Sequence, residues 1–356
     1  MPTKPPPPTT LTLSTGGIET TKTILAAIDN QRRLQALREQ RGLPVDSNAM
    51  GTVHCNRVEK LWRREGRQVL AMHPGLTAEV RAATSTKIVP ELFRTLPYRD
   101  PLVVFPGGIE IPSWKDGEVM RTLGFFTHGR VDHTRAFAPR SGVSADVLFD
   151  EALTVTSTHD PSAGVFSVII VNTVEGREGV PMYEYNRIAF PLDQPTTLKD
   201  VIDQKVANYG WDESVYTRSN AWKGSDAILQ QAFMRAQLGL ALGAVMYLCS
   251  TVLDAEAVPR SRVARSWNQP NSKPPNLINV GWRIGPALSS ARAEARLKEA
   301  SEQPGRTLPP HQRRAHFKTV WTGPGRSVPK TVFIAPYWVH KELMHLVDTK
   351  TVRAVK

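Results

Sequence analysis

Cysteine is nearly absent from this chain. Two residues, Cys55 and Cys249, stand among 356. They lack CxxC spacing, which excludes a zinc ribbon, and two thiols cannot frame a disulfide-rich scaffold. Reduced thiols in a cytosolic protein are expected. Long hydrophobic runs are also scarce. The one membrane-like stretch is Ala236 to Leu253, "AQLGLALGAVMYLCSTVL". Gln237, Ser250 and Thr251 interrupt it, and it continues an amphipathic pattern from Ile228, Leu229 and Phe233. It reads as a buried core helix, so no membrane partner is expected. The N-terminal "MPTKPPPPTT" lacks the apolar run of a signal peptide. No Walker loop, HExxH or GxSxG occurs, and "GGIETTKT" lacks phosphate-loop spacing. Motifs therefore assign no catalytic residue, cofactor or metal. Acid is the last shortage: 33 Asp and Glu face 45 Lys and Arg, a formal charge of +12. An excess of that size favours anionic partners such as RNA, DNA or an acidic protein face.

What is present organises into an α+β chain. Residues 1–17 read as a disordered, proline-rich tail and 18–100 as an N-terminal helical region. Ile24, Leu25 and Ile28, then Leu34 and Leu37, recur at helical steps, with Gly42 as a stop. A second helical region spans Val58 to Met72, and short helices follow at Thr77–Thr84 and Glu91–Arg94. Residues 101–195 read as a central antiparallel sheet. Its apolar runs are "LVVF", Val119–Phe126, Val131–Phe137, Leu148–Thr156, Val165–Val174 and Met182–Pro191. Residues 196–303 return to helical spacing. Leu198, Val201, Ile202 and Val206 share one face, a long apolar helix runs over Ser225–Ala255, and Pro286 opens another. Residues 258–276 read as a basic, proline-rich loop. Residues 304–356 form a small basic β-rich element.

That element carries the densest chemistry, "LPPHQRRAHFKTVWTGPGR". From Gln303 to Lys341 there is no acid, against seven Lys or Arg. Three readings fit it. Arg313, Arg314, Lys318 and Arg326 can bind phosphates or carboxylates, while Phe317 and Trp321 stack on bases or fill a partner's pocket. The aromatics can instead pack a small subdomain. Third, His311 and His316 beside these cations could serve acid–base cleavage of a phosphodiester, a nuclease or RNA-processing reading. A zinc site is disfavoured by the neighbouring cations and the missing thiolates. His128 and His133, with Asp132, form a second histidine pair, which reads as solvent-facing turn residues.

The run His311, Arg313, Arg314, His316, Phe317, Trp321, Gly323 and Gly325 resembles the C-terminal signature of the second type V-A anti-CRISPR family. Members read "PHxRRGHW", then a glycine turn, basic residues and an aromatic strand ending near a proline and valine, here Pro336 and Val339. Ala315 replaces the family's glycine and Phe317 its tryptophan. "AFPLDQPTTLKDVI", "LGLALGAVMYLC" and "VGWRIGPALSSARAEAR" look like upstream family elements. The resemblance implies a phage- or plasmid-encoded, non-enzymatic inhibitor acting in the bacterial cytoplasm. It also implies a partner: a CRISPR effector or other host protein, as the nascent N-terminal peptide of the type V nuclease, met near the ribosome and its mRNA. Loss of effector production through message degradation is the implied outcome.

Overall fold

The structure, a computed structural model, describes residues 10–42, 48–83, 87–88, 90–113, 119–128, 165–175, 181–191, 196–197, 200, 227–269, 272–299 and 311–339. Its centre is a strand that periodicity alone assigns to a helix. The helical pattern expected over Val58–Met72 breaks after α2 (Asn48–Arg64), where Gly66 and Arg67 both take positive φ. Gln68–Met72 is then strand β1. Val69 and Ala71 join one core and Leu70 and Met72 the other, so alternate side chains are buried on opposite faces.

Seven strands form one mixed sheet, in the order β6-β5-β4-β3-β1-β9-β8. The antiparallel expectation holds for β3 (Leu102–Pro112), β4 (Val119–His128), β5 (Val165–Glu175) and β6 (Pro181–Pro191). The sheet also takes in strands from outside residues 101–195. β1 pairs in parallel with β3, Val69 opposite Leu102, and with β9 (Asn276–Val280), Leu70 opposite Ile278. Short β8 (Ala255–Ala257) closes that edge antiparallel to β9. A two-strand pair, β2 (Lys87–Ile88) with β7 (Thr196–Thr197), lies outside this sheet.

Helices cover both faces. α1 (Thr10–Gln40), α2 and α5 (Arg260–Ser266) share the core of Ile24, Ile28, Trp62, Val104, Phe126 and Trp267. α3 (Pro74–Ala82) and α4 (Ala227–Leu248) share the other, with Phe105, Phe125, Phe166 and Leu242. α6 (Gly285–Glu299) packs on α3. Burial on both faces explains why runs such as "SVIIV" lack polar alternation.

Several expectations change. α1 begins at Thr10, inside the tail expected over 1–17; it ends before Gly42, which takes a left-handed turn as expected. Leu34 and Leu37, expected on the buried face, are exposed. The long helix is shorter than Ser225–Ala255 and, as expected, buried: every residue from Gln237 to Ser250 is buried. Among the described residues no helix is long and apolar enough to cross a membrane. Residues 258–276 hold α5 and the start of β9 rather than loop alone. The expected strands at Val131–Phe137 and Leu148–Thr156 and the helix from Leu198 to Val206 lie outside the described residues. Both cysteines are buried, and neither forms a disulfide.

Close helix approach rests on Gly243 of α4. A Cβ there would strike the Val80 carbonyl of α3. Gly243→Ala is therefore expected to cost about 1–3 kcal/mol by overpacking. A clear drop in Tm checks this; an unchanged Tm would mean that the helices part freely.

Candidate functional site

The C-terminal element is built from two small antiparallel pairs. β10 (His311–Arg313) pairs with β13 (Tyr337–Val339), placing Arg313 opposite Tyr337. β11 (His316–Thr322) and β12 (Val328–Ile334) form a hairpin, with Phe317 opposite Phe333 and Trp321 opposite Pro329. Its turn needs glycine. Gly323 and Gly325 have φ of 80° and 63°, and Arg326 itself sits at 54°. Thr322 Oγ1 donates to Val328 O at 3.2 Å and Ser327 Oγ to Pro324 O at 3.0 Å, holding the tip in shape.

One half of the hairpin is anchored. Phe317 and Phe333 are buried, with ring centroids 5.3 Å apart, and Phe333 meets Tyr247 of α4 edge-on at 5.2 Å. Beyond α4, Thr251 N–H donates to Thr331 O at 2.9 Å and Ser250 bridges to Thr331. Phe317, expected to touch a partner, is thus part of the core, and buried Ala315 lies beside it in sequence. The rest of the element is open. Arg313, Arg314, Lys318, Trp321, Arg326 and Lys330 are exposed, as are Val320, Val328 and Tyr337. Arg313 Nη1 donates to the Tyr337 hydroxyl at 2.9 Å and lies over that ring at 6.0 Å, which fixes one guanidinium in place. A cationic surface with rigid aromatic and aliphatic contact area results, suited to an acidic and apolar partner.

The histidines are separated by the pairing. His311 belongs to the β10 pair and His316 to the hairpin, where its Nδ1 lies 3.2 Å from Arg314 O. His128, expected to face solvent, is buried at the end of β4, with Nδ1 3.6 Å from Asp100 Oδ1. Burial follows from its place in a strand covered on both faces. His133 and Asp132 lie outside the described residues. Among the described residues, no three of His, Cys, Asp and Glu converge to hold a metal.

A family model for the AcrVA2-like proteins, the anti-CRISPR type V subtype A2 family, matches residues 70–341. The chain belongs to this family. A search of curated proteins finds no match to it. The AcrVA2-like match starts inside β1 and ends just past β13, so it takes in the seven-strand sheet, apart from the first two residues of β1, and the hairpin. The likeness seen in the C-terminal motif thus reaches far upstream of it.

Within the AcrVA2-like segment the structure joins residues that sequence reasoning passed over. His73 caps α3: Gly75 N–H donates to its Nδ1 at 3.0 Å. The ring meets Trp282 edge-on at 5.7 Å, and a Cβ on Gly285 would strike it. Asp254 Oδ2 accepts the N–H groups of Arg283 at 2.8 Å and Ile284 at 3.2 Å, at the start of α6. Asp254 N–H in turn donates to the Tyr247 hydroxyl at 3.2 Å. Burial pushes that phenol up to about 12. The histidine before Pro-Gly in "MHPG" and the glycines of "VGWRIGP" were the available signals.

Two outcomes are expected. Phe317→Ala should destabilise the protein by about 3–5 kcal/mol, whereas Trp321→Ala should leave its denaturation midpoint in place. Equal effects of the two changes would contradict the anchored and open halves. The second outcome concerns pH. Burial holds His73 below the ordinary histidine range, against an opposing pull from Asp254. A lowered histidine keeps its full contribution above the unfolded value of about 6.5 and loses it as pH falls below that. His73→Asn preserves an N-cap acceptor and removes the titration. Its urea midpoint should fall less than that of the wild type between about pH 7 and 5.5. Buried Glu79, raised by its burial, is common to both proteins and cancels in the difference. Parallel curves would refute the assignment.

Proposed function

We propose that this anti-CRISPR protein acts by binding, and that the open half of the hairpin is its docking surface. The observation that supports this is the division of β11. Phe317 anchors one face of the strand, Trp321 is exposed further along that face, and Lys318 and Lys330 are exposed on the opposite face, with no acid from Gln303 to Lys341. Rigid aromatic and arginine side chains on a fixed scaffold are the usual carriers of binding energy. The partner is the type V effector nuclease, met as its nascent N-terminal segment. Recognition near the ribosome in the bacterial cytoplasm lowers effector production through loss of the message. Arg313 and Arg314 supply forks for carboxylates, Lys318 and Arg326 supply charge, and Trp321 supplies contact area. His316 serves as a polar contact in this reading, because its Nδ1 faces a carbonyl and not a carboxylate that would orient a general base.

Arg313→Ala with Arg314→Ala tests the reading. Each lost contact is expected to cost about 2 kcal/mol, roughly thirtyfold in affinity. In cells carrying the effector gene, the double variant should restore effector protein and message, while its thermal melt matches the wild type. Full inhibition by the double variant would remove the hairpin as the docking surface. Cleavage of RNA by the purified chain, lost in His316→Ala without loss of binding, would favour the nuclease reading instead.

A further inference from the structure

A second basic surface lies away from the hairpin, at the N-terminal ends of β1 and β9. Arg67 precedes β1, and its Nη1 donates to Lys273 O at 2.8 Å. Asn276, the first residue of β9, ties this corner together. Its backbone N–H donates to Arg67 O at 3.0 Å, and its side-chain amide donates to Gly66 O at 2.8 Å. Its Oδ1 accepts from Arg260 Nε at 3.2 Å. Arg260 opens α5, which buries Val263 and is followed by buried Trp267, while Arg262 and Arg265 face solvent. Trp267 Nε1 donates to Ser272 O at 3.0 Å, pinning the segment before Lys273.

Arg260, Arg262, Arg265 and Lys273 are exposed, and Arg67 is half-buried. None of the five has a carboxylate partner among the described residues. The carboxylates of neighbouring α2 and its end are already engaged. Glu59 is held by Arg32 and Arg63, and Glu65 by Arg64 and Arg99. Arg67 also occupies a left-handed backbone at φ 55°, a conformation that is strained for a residue with a β-carbon. The turn brings one more cation to a corner that already holds uncompensated like charge.

We propose that Arg67, Arg260, Arg262, Arg265 and Lys273 form a site for the phosphate backbone of a nucleic acid, distinct from the hairpin and independent of the reading above. Arginine forks match phosphate oxygens bidentately. The cations stand on fixed elements, two strand ends and a helix anchored by buried Val263. Trp267, the aromatic at this corner, is buried, so the surface offers no base-stacking platform. Contact is with the backbone, without sequence preference.

The test uses the full chain and fluorescence anisotropy with labelled single strands of RNA and of DNA of one sequence, titrated at several salt concentrations. Wild type should bind at low salt, with affinity falling steeply as salt rises. Arg260→Glu, Arg262→Glu and Arg265→Glu together should weaken binding more than tenfold and reduce the salt slope by about 2, from three lost contacts at ~0.7 each. Arg313→Ala with Arg314→Ala should bind as wild type does. Tighter binding of RNA than DNA assigns the site to RNA, and equal binding assigns it to either nucleic acid. If the triple variant fails to fold by circular dichroism, Arg262→Glu alone should reduce the slope by about 0.7. Undiminished binding by the charge-reversed chain, loss of binding on changing the hairpin pair, or no binding at low salt overturns the proposal. Equal competition by poly-glutamate of the same length also overturns it, in favour of an acidic protein face.

Discussion

Gln68–Met72 pairs in parallel with a strand on each side, and from Val69 to Met72 neither face meets water. Parallel neighbours cannot be joined by a tight turn, so the chain must cross over between them. α3 supplies one crossover, from β1 to β3. The arrival of β9 after α4, β8 and α5 supplies the third strand of the parallel set. Two buried faces also demand two helical layers, which α1, α2 and α5 provide on one side and α3 and α4 on the other. Segments distant in sequence therefore share one sheet, and the regions expected over 18–100, 101–195 and 196–303 each contribute strands to it.

The end of α4 transmits that framework to the surface. Tyr247 packs on Phe333 of the hairpin, and its hydroxyl accepts the Asp254 N–H. Asp254 then fixes the start of α6 through its carboxylate and accepts Gly281 N–H at 2.7 Å through its carbonyl. One tyrosine thus links the hairpin, the sheet and α6. A docking surface on a hairpin alone would be marginal, since an isolated hairpin is barely stable in water. Anchored through Phe317 and Phe333, it becomes a rigid support for exposed Trp321 and the cations around it.

The distribution of acid gives the surface its character. Several carboxylates of the N-terminal helices are paired with cations: Glu19 with Lys22, Asp29 with Arg32, Glu59 with two arginines. Among the described residues, two clusters of exposed cations stand out, the acid-free hairpin and the corner around α5. They lie at opposite ends of the parallel strands. β9 starts at Asn276 beside Arg260 and ends at Val280 beside Asp254, which leads through Tyr247 to the hairpin. Separation of this kind allows a protein and a polyanion to be held at once without competing for the same cations.

The antiparallel half of the sheet was legible because its strands are long, apolar and separated by turn residues. α4 was legible because its apolar pattern continues over six turns. β1 was not: four apolar residues a few positions after an amphipathic helix carry no distinguishing period. β9 was hidden by Asn276 and Asn279 and by the proline-rich stretch before it. His73 and Asp254 were invisible because their roles depend on backbone groups brought from other elements. At the candidate site, the sequence by itself determined the composition: the charge, the missing acid, the glycine turn and the aromatics. It could not divide those aromatics. Phe317 and Trp321 lie four residues apart on one strand, so both point to the same face. Tertiary structure alone decided between them. α4 ends at Leu248, and it covers only the half of the hairpin that reaches Tyr247 and Ser250, burying Phe317 and leaving Trp321 in water.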